Sequence, residues 1–178
     1  IEAIIKGQHA LVTAHTGSGK TLPAEFAIEY FVEKGKKLIY TSPIKALSNQ
    51  KYSEFRRKYP HISFGLMTGD IKMNPDADVL IMTTEILMNS LFKQQNEERS
   101  TLEFQVDIND ELACVVFDEV HYINDVDRGQ TWEKTILMLP NHIQMVMLSA
   151  TIDSPERFAS WAEKEGSNKE VYLASTNK

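Results

Sequence analysis

The run Ala14-His15-Thr16-Gly17-Ser18-Gly19-Lys20-Thr21 restricts what this chain can fold into more than any other stretch. It follows a short apolar run, His9 to Thr13, that reads as a buried strand. It opens a segment, Thr21 to Glu33, with helical patterning. Strand, glycine turn and helix in that order form the context of a phosphate-binding loop. The glycines let backbone N–H groups converge on phosphate oxygens, and the helix N-terminus adds a favourable partial charge. Thr16, Gly17, Ser18 and Gly19 are expected to cradle the phosphates. Lys20 is expected to reach the β- and γ-phosphates, and the Thr21 hydroxyl to ligate Mg²⁺. Pro23 falls in the first helical turn, where its missing N–H costs little. The usual pattern has Gly where this chain has Ala14, but the Gly19-Lys20-Thr21 ending is complete. A turn that merely joins a strand to a helix is the competing reading, and the full context favours a nucleotide site.

Five apolar runs alternate with helical stretches: Ala10–Thr13, Leu38–Thr41, Val79–Thr83, Ala113–Phe117 and Met145–Leu148. Each is nearly continuous in apolarity and bounded by polar or turn residues, as parallel strands covered on both faces read. Ile62–Met67 and Val171–Leu173 are weaker strand candidates. Glu25, Glu29 and Glu33 recur every four residues in the first helix and read as one solvated edge rather than a metal site. Ile44, Leu47, Tyr52 and Phe55 mark the core face of a second helix, and Leu87, Met88, Leu91 and Phe92 that of a third. A further helix is expected over 155–164. The alternation predicts an α/β fold, a doubly wound, mainly parallel sheet flanked by helices, with ligands at the carboxyl ends of its strands. The polar stretch 94–111 reads as a surface excursion.

With 178 residues the chain is expected to be a single domain, 1–178. The net charge of −6 excludes a globally basic nucleic-acid coat, so any such contact must be a local groove. One cysteine, Cys114, sits in an apolar run; it excludes a disulfide framework and points to a reducing intracellular compartment, cytoplasmic or nuclear. No apolar run approaches the roughly 20 residues of a membrane span, so no membrane partner is expected. The chain begins at Ile1, in what reads as the tail of a helix, and is expected to be part of a longer one.

The run Cys114-Val115-Val116-Phe117 ends in Asp118-Glu119-Val120-His121. A carboxylate at the end of a buried strand, downstream of a phosphate-binding loop, is the Walker B arrangement. Asp118 would hold Mg²⁺ and Glu119 would polarise the attacking water. Asp-Glu-Val-His resembles the DExH box of superfamily 2 helicases and nucleic-acid-dependent ATPases. Further matches follow in the family's order. Ser42-Pro43-Ile44-Lys45-Ala46-Leu47-Ser48-Asn49-Gln50-Lys51-Tyr52 resembles motif Ia. Thr68-Gly69-Asp70 and Thr83-Thr84-Glu85-Ile86-Leu87 resemble the Ib-region motifs, and Ser149-Ala150-Thr151 resembles motif III. The wording of motif Ia, Asn74-Pro75-Asp76-Ala77, and Tyr122-Ile123-Asn124-Asp125 leading to Arg128-Gly129 and Trp132-Glu133 narrow the likeness to the Ski-type, exosome-associated RNA helicases. That group often has Ser-Ala where this chain has Gly17-Ser18.

The resemblance implies a RecA-like P-loop NTPase fold and ATP and Mg²⁺ as cofactors. It implies the ATP-binding lobe of an RNA helicase that moves along or unwinds RNA in the 3′-to-5′ direction. Lys20, Asp118, Glu119 and His121 would form the catalytic set, and His121 with Ser149 and Thr151 would couple the ATP and nucleic-acid sites. Ser42, Pro43, Lys45, Asn49, Gln50, Gly69, Thr84 and Glu85 are the nucleic-acid candidates. Loop-to-helix positions suit phosphate oxygens and carry no base information. Single-stranded or partly duplex RNA, a second RecA-like lobe in the same parent chain and exosome-type RNA-decay factors are the implied partners. Neither the second lobe's motifs nor the adenine-reading Gln motif is found in this sequence, so this lobe alone is expected to be nearly inactive. Two other readings stay open: a nucleotide-binding regulatory or scaffold module without turnover, and a DNA-directed motor of the same superfamily.

Overall fold

Branched and aliphatic residues dominate the apolar runs, and they stack into a single sheet whose two faces both need covering. The computed structural model describes residues 2–13, 22–96, 111–120, 135, 136, 138–140, 142–149 and 171–175. In chain order the elements are α1 (Glu2–Ile5), β1 (His9–Thr13), α2 (Leu22–Glu33), β2 (Lys37–Ser42), α3 (Lys45–Lys58), β3 (Phe64–Met67), β4 (Lys72–Met73), β5 (Val79–Thr83), α4 (Thr84–Asn96), β6 (Leu112–Phe117), β7 (Gln144–Ser149) and β8 (Val171–Ser175). Among the described residues the sheet has eight strands, in the order β4-β3-β5-β2-β6-β7-β1-β8. Every neighbouring pair is parallel except β3 and β4.

Alternate residues of each strand feed opposite faces, as a two-residue period requires. Ile39, Leu80, Met82, Val115, Phe117, Met145 and Met147 join one core with Leu87 and Leu91 of α4. Leu38, Tyr40, Val79, Ile81, Cys114, Val116, Val146 and Leu148 join the other with Ile28 and Phe31 of α2 and Phe55 of α3. Each fully buried Leu or Ile among them contributes about 1.5–3 kcal/mol relative to exposure. The α/β, doubly wound expectation is met, and the five main runs each form a strand. Cys114 is buried, and desolvation pushes its thiol well up, which keeps it an unreactive core residue.

The helices correct the expected stripes in instructive ways. Ala24, Ala27, Ile28 and Phe31 form the buried stripe of α2 at helical spacing. Glu29 and Glu33 are exposed, but Glu25 is half-buried and accepts a 2.8 Å bond from Lys58 Nζ, tying α2 to the end of α3. In α3 the fully buried positions are Ser48 and Phe55, with Leu47 and Tyr52 only half-buried and Ile44 standing before the helix as its N-cap. In α4 the buried residues are Thr84, Leu87, Ser90 and Leu91; Met88 is only half-buried and Phe92 points outward, 59% exposed. Ile62–Met67 yields a strand only from Phe64, and Val171–Leu173 extends to Ser175. The helix expected over 155–164 lies outside the described residues, as do 97–110 of the polar stretch. That stretch starts inside α4 and rejoins the sheet at Glu111, whose carbonyl accepts from Lys37 N at 2.8 Å.

The short β4 was not legible beforehand. It lies antiparallel on β3, pairing Leu66 with Met73 and Met67 with Lys72. The chain reverses through Asn74, at φ 50°, whose Nδ2 donates to Phe64 O at 3.2 Å. This close return needs glycine at 65, where a Cβ would lie 2.3 Å from Asn74 O and 2.9 Å from Met73 O. Both obstacles are backbone and cannot step aside. Gly65→Ala is expected to destabilise the fold by about 2–3 kcal/mol through overpacking. Chemical denaturation measures this, and an unchanged midpoint would mean that β4 is not seated on β3 as described.

Candidate nucleotide site and nucleic-acid interface

Parallel strands deliver all their carboxyl ends to one edge, so residues distant in sequence meet there. Register fixes the levels: Thr13 is opposite Ser149, Phe117 opposite Met147 and Thr41, and Ser42 opposite Thr83. The loop after β1, with Thr16, Gly17, Ser18, Gly19, Lys20 and Thr21, starts at this edge, but its residues lie outside the described ones. His121 and Thr151 lie outside them too.

Asp118 is the best-defined acid of the site. Its N–H donates to Thr41 O at 2.8 Å, carrying the β2–β6 ladder one residue past β6. Thr41 Oγ1 donates across the same seam to Val116 O at 3.0 Å. The Asp118 side chain is 4% exposed. Its Oδ1 accepts from Glu119 N at 2.8 Å, and its Oδ2 accepts from the Tyr40 hydroxyl. Burial first, and then the Asp118 charge and hydrogen bond, push the Tyr40 hydroxyl well above its ordinary pKa. Tyr40 therefore stays protonated and remains a donor. The chain leaves the strand at Glu119, which is half-buried and sits at φ 58°. Left-handed backbone at a non-glycine residue is uncommon and concentrates at functional sites. Ser149, ending β7, is fully buried, and its Oγ has no hydrogen-bond partner among the described residues. An orphaned buried hydroxyl is costly, and a partner that arrives with ligand or conformation would satisfy it.

The nucleic-acid candidates occupy the adjoining half of the edge. Gly69 follows β3, Thr84 and Glu85 follow β5, and Ser42 ends β2 with Pro43 to Gln50 after it; these three strands are neighbours in the sheet. Lys45, at the start of α3, is exposed and paired with Asp70, which bridges motif Ia to the loop after β3. That hydrogen bond and the lysine charge hold the Asp70 carboxyl below the usual carboxylate range. The Thr68–Ile71 turn is closed in both directions, Thr68 N to Ile71 O at 2.9 Å and Ile71 N to Thr68 Oγ1 at 3.2 Å. It presents Gly69 to open space, where even an added Cβ would meet nothing within 4 Å.

Three candidates differ from the simple phosphate-contact expectation. Ser42 is fully buried, its hydroxyl donating to Ile44 O at 3.1 Å and lying 2.9 Å from Ser48 Oγ. It shapes the entry to α3 and has no hydroxyl to offer a ligand. Thr84 is buried, 6% exposed, at the start of α4. Glu85 is exposed in the first turn of α4, where a carboxylate suits the helix dipole but repels phosphate. It can only accept, from a base amino group or a sugar hydroxyl. Pro43 is half-buried and has no N–H to donate. Gln50 is exposed and donates from Nε2 to Glu54 at 3.0 Å, whereas Asn49 Oδ1 is shut away without a partner.

Two residues at this edge were not singled out from sequence. Asp70 lies inside a quoted motif, and only the fold shows that it answers Lys45. Tyr40 carried a usable signal: a lone phenol in a doubly covered strand must find a buried acceptor.

Comparison with known proteins bears on this geometry. The model of the family described as DEAD/DEAH box helicase matches residues 1–158. Antiviral helicase SKI2 of Saccharomyces cerevisiae is 44% identical over 173 residues, covering 97% of this chain and 12% of that protein. Superkiller complex protein 2 of Homo sapiens is 44% identical over 165 residues, 93% of this chain and 12% of that one. Exosome RNA helicase MTR4 of Homo sapiens is 45% identical over 161 residues, 90% of this chain and 14% of that one. The chain thus spans 12–14% of the length of these relatives.

Proposed function

The chain belongs to the DEAD/DEAH box helicase family, and from that premise we propose that residues 1–178 are the ATP-binding, first RecA-like lobe of an ATP-dependent RNA helicase. The observation that carries this reading is the seam between β2 and β6. There the buried Asp118 and the neighbouring Glu119 stand at the same edge as the end of β1, while β2 itself leads into motif Ia and β3 into the Gly69 turn. An energy site and a backbone-tracking site then share one pair of strands. One relative supports RNA as the substrate, being named an exosome RNA helicase, and another is named a superkiller complex protein. RNA-decay factors and a second lobe of the same chain are the proposed partners, in a reducing intracellular compartment, with 3′-to-5′ movement.

The donor set fits magnesium. This cation takes oxygen ligands, keeps several waters and needs only one or two carboxylates beside substrate phosphates. Asp118 is such a carboxylate, and Thr21 would add a hydroxyl. Among the described residues no group of three or more His, Cys, Asp or Glu forms a cage. When bound, the ion would neutralise charge on the β- and γ-phosphate oxygens. Thr16 to Thr21 would hold the phosphates through backbone N–H groups and the Lys20 ammonium. The Glu119 carboxylate would orient a water for in-line attack and take its proton. Lys45, Asn49, Gln50 and the Gly69 turn would follow the RNA backbone, with His121, Ser149 and Thr151 relaying occupancy between the sites.

Steady-state ATP hydrolysis by the full protein, alone and with single-stranded RNA or DNA, tests this. Stimulation by RNA well above that by DNA is expected. Equal stimulation would favour a general nucleic-acid motor, and none at all would favour a binding module without turnover.

A further inference from the structure

We infer that Tyr40 is a positioning residue for Asp118: its hydroxyl holds the carboxylate in the orientation that receives the cation, and its ring makes that orientation depend on the seating of α3. The inference deepens the reading above and rests on Asp118 being the metal-side acid.

Tyr40 is fully buried in the middle of β2, between Ile39 and Thr41, on the face where it packs among Leu38, Val79, Ile81 and Val116. A phenylalanine would fill that volume without a polar group to satisfy, so a phenol is worth its desolvation only for the bond it makes. The bond goes to Asp118 Oδ2, 78 residues away in sequence. The other carboxylate oxygen is held by the Glu119 N–H. With a donor on each oxygen, rotation about the last side-chain torsion would break a bond. Removing the hydroxyl takes the tether from Oδ2. Outer partners of this kind orient metal ligands and are felt in metal affinity.

The ring is held from the other side. It meets Phe55 of α3 edge-on, with centroids 5.3 Å apart at 77°, and Phe55 stacks on Phe64 of β3 at 6.0 Å. At its start the same helix is pinned to the end of β2 by the Ser42–Ser48 contact, and it carries Lys45 and Asn49. A column of three aromatic rings therefore seats Tyr40 against the far end of the helix whose start carries Lys45 and Asn49.

The test uses the full protein with Mn²⁺ as a paramagnetic stand-in for Mg²⁺ and a non-hydrolysable ATP analogue. Free Mn²⁺ is read by electron paramagnetic resonance, and analogue affinity is read separately in EDTA. Tyr40→Phe is expected to weaken Mn²⁺ binding in the ternary complex about tenfold, with metal-free analogue affinity unchanged. Phe55→Leu, which keeps the hydroxyl, is expected to give a smaller loss of the same kind. Asp118→Asn serves as the reference and is expected to lose more than either. Unchanged Mn²⁺ affinity in Tyr40→Phe, beside a clear loss in Asp118→Asn, would overturn the role of Tyr40 alone. A fall in analogue affinity with and without metal alike would also overturn it, since a purely structural role predicts that. Unchanged affinity in Asp118→Asn would remove the metal-side assignment itself, and this inference with it.

Discussion

Glu119→Gln in the full protein is expected to lower RNA-stimulated ATP turnover by about 10²–10⁴-fold, the range that a positioned proton acceptor contributes, while nucleotide affinity stays near wild type. The substitution is isosteric and leaves the backbone alone. The Glu119 N–H still donates to Asp118 Oδ1, and the residue keeps its left-handed conformation at φ 58°. Asp118 is therefore still presented, and only the charge proposed to orient and deprotonate water is lost. The backbone strain at 119 supports the assignment from an independent side. A glutamate has no conformational reason to occupy φ near 58°, and a glycine would sit there at lower cost. The left-handed turn takes the chain out of the strand at once, with Asp118 buried and Glu119 half-buried. Phosphate release with saturating RNA, together with titration of a fluorescent ATP analogue, measures both arms. Persistent turnover with unchanged affinity would show that another group takes the proton.

Much of this fold is legible because covered parallel strands have so little latitude. Val79–Thr83 and the cores of β1, β2, β6 and β7 are continuous apolar runs that no amphipathic helix would carry. Where the reading failed, the reason was a partner remote in sequence. Ser48 faces the core of α3, which a hydrophobic stripe does not predict, because the Ser42 hydroxyl is there to meet it. Phe92 continues an apparent stripe on α4 yet points outward, since Leu87 and Leu91 already fill the face. β4 has no periodicity to read: its two residues are exposed, and its place is set by the bare backbone of Gly65 and the turn at Asn74. The site divides in the same way. Asp118 and Glu119 are visible as a motif after a strand, because chemistry fixes both residue type and position. Tyr40 is not, because its role exists only once β2 lies beside β6. Ser42 misleads for the converse reason: its hydroxyl, at a helix entrance, is the right group in the right place, already spent inside the protein.

The 178-residue chain on its own is expected to bind Mg-ATP weakly and to turn it over about 10³–10⁵-fold more slowly than the full protein, the contribution of an arginine finger in related P-loop systems. Its two cores cover both faces of the sheet, so the fold does not depend on a neighbouring domain to bury them. The proposed second lobe would supply a cation aimed at the transferred phosphate. Among the described residues the arginines are Arg56 and Arg57, and both are exposed in the last turn of α3. That helix returns the chain from the carboxyl edge of the sheet to the amino edge, so its end points away from Asp118. The relatives, of which this chain spans 12–14%, have ample chain outside the matched region to supply such a group and to close a groove over RNA. Comparing phosphate release by the domain and by the full protein, each with and without single-stranded RNA, measures the difference. Circular dichroism and analogue binding establish that the domain is folded. Robust RNA-stimulated release by the domain, abolished by Glu119→Gln, would mean that the complete catalytic set lies within these residues, and the two-lobe account would fall. Slow release that RNA does not raise, with the analogue still bound, would place the missing charge outside this chain and leave Lys20, Asp118 and Glu119 as the half of the machine that waits for it.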